Sequence, residues 1–158
     1  MREETGNVVF EEEQRFRQPW LWMLFIAEAA LFGGLIVKHP HPPAVIALVI
    51  LVVGGSFLMF LFWTMRTEVR SDSVYIRFWP MKRRIPLEDI KSVEARTYSP
   101  IREYGGWGFR YGRSGKAYNV SGNRGVQLEL KSGEHIVIGS QKADDLAAAI
   151  QGEMRRIS

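Results

Sequence analysis

Hydrophobic and polar positions follow two different rhythms along this chain. Trp20 to Val37 is an apolar run of 18 residues with one charge, and Ala44 to Trp63 is a run of 20 with none. Each is close to the ~20 residues that a membrane-spanning helix needs at 1.5 Å per residue. Lys38-His-Pro-His-Pro-Pro43 separates them, a polar turn that a helix does not cross easily. Trp20, Trp22 and Trp63 stand at the run ends, where aromatic belts form. The pattern predicts a transmembrane α-hairpin over 20–64, with helices at 20–37 and 44–63. Ala27-Glu28-Ala29 has the shape of a signal-peptide cleavage site, but the leader is rich in Glu and the apolar run continues well past it, which argues against cleavage.

After Arg66 the period becomes two. Val74, Ile76 and Phe78 share a face, followed by Ile85 and Leu87, then Val93, Ala95 and Thr97, then Val126, Leu128 and Leu130, then Ile136 and Ile138. This is the signature of half-buried antiparallel strands. Ser71-Asp-Ser73, Pro80, the glycines from 105 to 125 and Lys131-Ser-Gly133 supply the turns. Six or seven short strands are expected. Ser140 is then placed to cap a helix running to about Arg156, with Leu146, Ile150, Met154 and Ile157 at helical spacing. Asp144 and Asp145 at its start and Arg155 and Arg156 at its end suit the helix dipole. The division read from sequence is a cytoplasmic tail over 1–19, the hairpin over 20–64 and a cytoplasmic domain over 67–158.

Charge sharpens the picture. Residues 65–158 hold 17 basic and 11 acidic side chains, whereas 1–19 hold three Arg against five Glu. Arg15, Arg17, Arg66, Arg70 and Arg77 flank the outer ends of the hairpin and only Lys38 lies in its turn. The positive-inside rule therefore predicts a bacterial inner-membrane protein with both termini in the cytoplasm. The absence of Cys excludes disulfides, thiolate metal sites and a Cys nucleophile.

The order of elements and the stretches Ile85-Pro-Leu-Glu-Asp-Ile90, Tyr98–Arg110 with its Gly-Gly-Trp-Gly-Phe-Arg segment, Lys116–Leu130 with its Gly-Asn-Arg-Gly-Val segment, and Ile138-Gly-Ser140 resemble the bacterial pleckstrin-homology-like domains. In particular they resemble an uncharacterised group of small membrane proteins with two helices before such a domain. The resemblance implies a bent barrel of about seven antiparallel strands closed by a C-terminal helix, and no established activity. Eukaryotic relatives bind phosphoinositides through a dense basic first hairpin. Arg70 and Arg77 around Ser71-Asp-Ser73 do not reproduce it, so phosphoinositide binding is not expected.

Candidate chemistry is sparse. Glu28 falls mid-span, level with Ser56, and a charged acid there costs on the order of 3 kcal/mol. It is expected to hydrogen-bond Ser56 or a carbonyl and staple the hairpin, with Ala30, Gly34, Gly54 and Gly55 as small-residue packing faces. A partner subunit, a pigment-like ligand or a proton relay at Glu28 are the functional alternatives. Lys82, Arg83 and Arg84 form a basic cluster suited either to anionic headgroups or to a solvated hairpin tip. The glycine-rich stretch reads as a bent hairpin. Its aromatic excess nominates Trp107, Arg110 and Tyr111 as a partner surface, Gly on both sides leaving Trp107 mobile. His39 and His41 fit a polar turn better than a metal or tetrapyrrole site, and His135 a surface position.

No nucleophile–base set, metal motif or nucleotide motif is visible. The expectation is a non-enzymatic, membrane-anchored adaptor or accessory subunit of a larger inner-membrane complex, without cofactor. Its expected partners are membrane lipids and other membrane-protein subunits, with no nucleic acid. The alternatives are an anionic-lipid sensor and a component of an enzyme or transporter built around Glu28.

Overall fold

The computed structural model describes residues 7–16, 19–38, 41–62, 64–112 and 114–157, without side chains at 19–21 and 59–62. The chain divides into two compact units. One consists of the helices α1 (Pro19–Lys38) and α2 (Pro43–Phe62). The other is a mainly-β unit: β1 (Val8–Arg15), then, after the helices, β2 (Thr64–Arg70), β3 (Ser73–Phe78), β4 (Met81–Pro86), a 3-10 turn (Leu87–Asp89), β5 (Ile90–Thr97), α3 (Pro100–Tyr104), β6 (Gly108–Gly112), β7 (Gly115–Asn119), β8 (Arg124–Leu130), β9 (His135–Gly139) and α4 (Ala143–Ile157).

The helical unit corrects the first expectation. Among the described residues, no helix is long and apolar enough to cross a membrane. Spanning takes about 20 apolar residues in sequence. In α1, Glu28 and Lys38 interrupt the apolar run. The transmembrane hairpin, the inner-membrane localisation and the termini-inside orientation are corrected accordingly. The turn expected outside the membrane includes His39, which lies outside the described residues, as do Arg17 and Trp63.

The β unit also departs from the expected seven-stranded bent barrel. Its described strands form two sheets, one of four strands in the order β1-β2-β3-β4 and one of five in the order β5-β8-β9-β7-β6. The first is antiparallel throughout. In the second, β7 and β9 run parallel, Lys116 beside Ile136 and Tyr118 beside Ile138. Period-two patterning finds strands but does not say which neighbour each takes. The segment before the helices, read as a tail, is the edge strand β1. It pairs with β2 from Arg15↔Thr64 to Val8↔Arg70, so the helical unit is inserted in a β-hairpin connection.

The core of the β unit is built from the inner faces of both sheets and from α4. Met65, Val69, Val74, Ile76, Ile85, Val126, Leu128, Ile136 and Ile138 are fully buried, with Leu146 and Ile150 of α4. α4 packs on β5 and β8 and touches β1 and β2. Its apolar stripe at 146, 150 and their neighbours faces that core, and its charged ends match the macrodipole. The helix begins three residues after Ser140. The Ser140 hydroxyl accepts from Lys142 N at 2.9 Å, and the buried carboxylate of Glu12 accepts from Gln141 N at 2.8 Å.

β9 is buried on both faces, and Val137 joins Tyr98, Tyr104 and Ala117 in a second, smaller cluster. α3 contributes Tyr104 to this cluster. Its start is fixed reciprocally: Ser99 Oγ accepts from Arg102 N, and Ser99 N donates to Glu103 Oε1 at 2.7 Å. Gly105 ends it in the left-handed conformation at φ 75°.

Candidate functional site

Three surfaces carry the residues nominated from the sequence. On the helical unit, α1 and α2 meet through rings. Phe57 stands edge-on to Trp22 and to Phe25, each at 5.7 Å between centroids. The small residues do not make this contact: a Cβ built on Gly34, Gly54 or Gly55 has nothing within 4 Å. Ser56 Oγ donates to Val53 O at 2.9 Å, not to Glu28. Glu28 is half-buried and makes no hydrogen bond or ion pair among the described residues. The expected staple is therefore replaced by aromatic packing. Large apolar side chains are left exposed around both helices, including Ile26 (66%), Val37 (86%), Ile50 (66%) and Leu51 (70%).

The second surface is the first sheet. Strand alternation splits the Lys82-Arg83-Arg84 cluster. Lys82 and Arg84 are exposed on the outer face, while Arg83 reaches Glu134 at 2.7 Å. Glu134 also meets Lys116 at 2.6 Å, tying β4 of one sheet to β7 of the other. Burial raises the Glu134 pKa, but the hydrogen bonds and charges of Lys116 and Arg83 outweigh it and hold the carboxyl below its ordinary value. The outer face continues into Arg66, Glu68 and Arg70 on β2 and Tyr75 and Arg77 on β3. Sequence reading noted Arg70 and Arg77 but not this convergence, which the register of three strands creates. Counting alternate positions in each strand would have exposed it.

The third surface is the glycine-rich hairpin β6–β7. Phe109, Tyr111 and Tyr118 share one face of the hairpin, whereas Tyr98 and Tyr104, outside it, pack with Ala117 and Val137. Tyr98 and Tyr104 pack edge-on at 6.0 Å in the small cluster, and Tyr118 is buried against Phe109 at 4.8 Å. Burial raises the pKa of all three tyrosines. Trp107 is half-buried, its indole N–H donating to Gly122 O at 3.1 Å. Arg110 is exposed and donates to Trp107 O at 2.9 Å. Tyr111 is 69% exposed. The glycines serve close approach as well as turning. A Cβ on Gly112 would lie 2.1 Å from Glu103 O, and one on Gly115 would lie 2.2 Å from His135 O.

A broad groove of about 740 Å³ runs along this hairpin past Arg96, Glu103, Lys116, Glu134 and His135. Its carboxylates are already paired: Glu103 with Arg96 at 2.8 Å, Glu134 with Lys116 and Arg83. Arg96 in turn holds Glu103 below the ordinary carboxylate range, against a burial cost. His135, half-buried at the start of β9, lines the groove. His41 is half-buried in the helical unit. Among the described residues, no cluster of three His, Asp or Glu is arranged to hold a metal ion.

Comparison with curated proteins gives no match. A family model spanning almost the whole chain does match, over residues 7–156, and covers both units. The chain belongs to DUF6141, a family of unknown function.

Proposed function

We propose that this protein is a non-enzymatic binding module, an adaptor or accessory subunit whose helical unit docks an apolar helical surface of a larger protein complex. The observation that carries this reading is the exterior of that unit. Thirteen large apolar side chains of α1 and α2, from Trp22 to Leu58, are at least 40% exposed. Helices apolar on every side are normally covered, and contiguous exposed apolar surface marks an interaction site.

The test is photo-cross-linking in cells from position 26 or 50, each 66% exposed, with Ile101 (64% exposed, on the β unit) as control. A single stoichiometric adduct from 26 and 50, to a protein whose cross-linked segment is itself an apolar helix, is expected. An adduct of twice the chain's own 18.1 kDa, or none, overturns the reading.

A further inference from the structure

We infer that the helix docked by the helical unit carries one basic residue, Lys or Arg, which pairs with Glu28. The inference rests on the docking reading above and adds to it the face of α1 that is used and the chemistry of the partner.

The sequence of α1 sets the acid in a seam. Leu24, Glu28, Leu31 and Leu35 follow one another at steps of four, three and four. Those steps keep one face of a helix in the 3.5-residue repeat by which helices pack side by side. Leu24, Leu31 and Leu35 are 57%, 62% and 47% exposed, so the face is open. The packing on α2 uses another face. Phe25 meets Phe57, and Phe25, Phe32 and Ile36 are half-buried. Each of these three follows a leucine of the seam by one position, about 100° round the helix. Glu28 falls between the two faces, which accounts for its being half-buried while the leucines of the seam are open.

The helical unit leaves this carboxylate unanswered. Glu28 makes no hydrogen bond or ion pair among the described residues. α2 has a single polar side chain, Ser56, and its hydroxyl donates to Val53 O. The other charged residue of α1 is Lys38, three turns away at the end of the helix.

A helix laid over Leu24, Leu31 and Leu35 takes Glu28 out of water. A carboxylate enclosed without a partner is costly, and removing either member of an enclosed pair is strongly destabilising. A wholly apolar partner is therefore opposed by the one acid in the seam. A neutral polar residue leaves the charge uncompensated, whereas Lys or Arg supplies charge and hydrogen-bond donors together. Polar residues at single seam positions fix register and choice of partner in helix pairs. Glu28 does so here by admitting the helix and the register that bring a cation opposite it.

The experiment uses the full chain in mild detergent, with a diazirine amino acid replacing Leu31 in the seam or, as control, Ile101. The probes are synthetic Leu/Ala helices of about 20 residues that differ only at the central position, which is Lys, Leu, Asn or Glu. Position 31 should label the Lys helix at least about tenfold more than the other three, the scale of a close charge pair. Glu28→Lys should reverse the order and place the Glu helix above the Lys helix, a gain that a misfolded variant would not give. Glu28→Gln should bring the Lys helix down to the level of the Asn helix. Equal labelling of the Lys and Leu helices, or of the Lys and Asn helices, overturns the proposal and leaves the docking reading standing. So does an order that Glu28→Lys does not change. Labelling of no helix from position 31, or equal labelling from 31 and 101, overturns the proposal and the docking reading together.

Discussion

Glu12 Oε2 accepts the Ser140 hydroxyl at 2.5 Å, joining two residues 128 positions apart in sequence. The contact fixes the N-terminal strand to the entry of α4. The same carboxylate takes the Gln141 N–H at 2.8 Å, and two residues on, Gln14 Nε2 donates to Gly139 O at 2.8 Å. A carboxylate near a helix N-terminus is favoured by the exposed N–H groups there.

Removing the Glu12 carboxylate leaves buried donors unanswered. Charge-assisted hydrogen bonds contribute about 1.5–3 kcal/mol. Glu12→Ala should lower the stability of the β unit by ~2–3 kcal/mol, and Glu12→Gln, which keeps one acceptor oxygen, by about half as much. The urea midpoint should fall while the slope of the transition stays constant. A midpoint unchanged in Glu12→Ala would show that β1 is not anchored through this residue.

This link also shows where sequence reading stops. Val8–Arg15 carries three consecutive Glu, so it reads as a solvated tail, yet every second side chain turns inward and two of those find polar partners on the far side of the unit. Composition cannot reveal a partner 128 residues away. By contrast, the alternation at 74–78, 126–130 and 136–138 and the stripe of α4 were legible because local burial dictates them. Sheet partners were not, since the β7–β9 pairing is parallel and non-sequential. The helical segments were found by their apolarity, but their length as spans, and the Glu28–Ser56 bond inferred from depth, did not survive. Of the basic cluster, the sequence showed the charges. Which of them share a face depends on alternation and on the register of neighbouring strands.

Glu134 makes stability depend on pH in a specific window. Its carboxyl titrates lower in the folded chain than in the unfolded one, because Lys116 and Arg83 outweigh its burial. The folded state therefore binds the proton less readily. The contribution is complete above the ordinary glutamate value of about 4.3 and is lost as pH falls through the depressed folded value. Glu134→Gln should cost about 1 kcal/mol at neutral pH, the scale of a partly exposed pair with two partners. The gap from wild type should close as pH is lowered toward about 3, and a gap that is constant from pH 7 to 3 would assign the effect to packing.

Two sets of glycines should respond oppositely to alanine. At Gly112 the new Cβ meets Glu103 O at 2.1 Å and Tyr104 Cδ1 at 2.7 Å, and backbone cannot withdraw as a flexible side chain can. Overpacking of this kind costs about 1–3 kcal/mol. At Gly34 and Gly54, mid-helix, the Cβ meets nothing within 4 Å. Alanine there should raise helix stability by up to ~1 kcal/mol per site. Thermal melts of Gly112→Ala and of Gly34→Ala/Gly54→Ala check the pair. A destabilised helical double variant would mean that those faces are closely packed against a partner in the sample measured.

The tyrosines of the glycine-rich region separate core from surface within a few residues. Tyr104 is 3% exposed and stacks edge-on with Tyr98, whereas Tyr111 is 69% exposed, with the Phe109 ring edge-on at 5.0 Å and the Lys116 ammonium 5.5 Å from its ring centroid. Truncating a buried aromatic costs about 3–5 kcal/mol, because it leaves a cavity as well as losing buried area. Tyr104→Ala should fall in that range and bring the small cluster of Ala117 and Val137 down with it. Tyr111→Ala should stay within about 0.5 kcal/mol of wild type, as surface substitutions do. Trp107→Phe lies between them: an aromatic ring is kept, smaller than the indole, and the hydrogen bond to Gly122 O, worth about 1 kcal/mol, is lost. Urea unfolding of the three variants orders them as Tyr104→Ala, Trp107→Phe, Tyr111→Ala from most to least destabilised. If Tyr111→Ala proved as damaging as Tyr104→Ala, its ring would belong to the core and could not serve as an accessible contact for a partner.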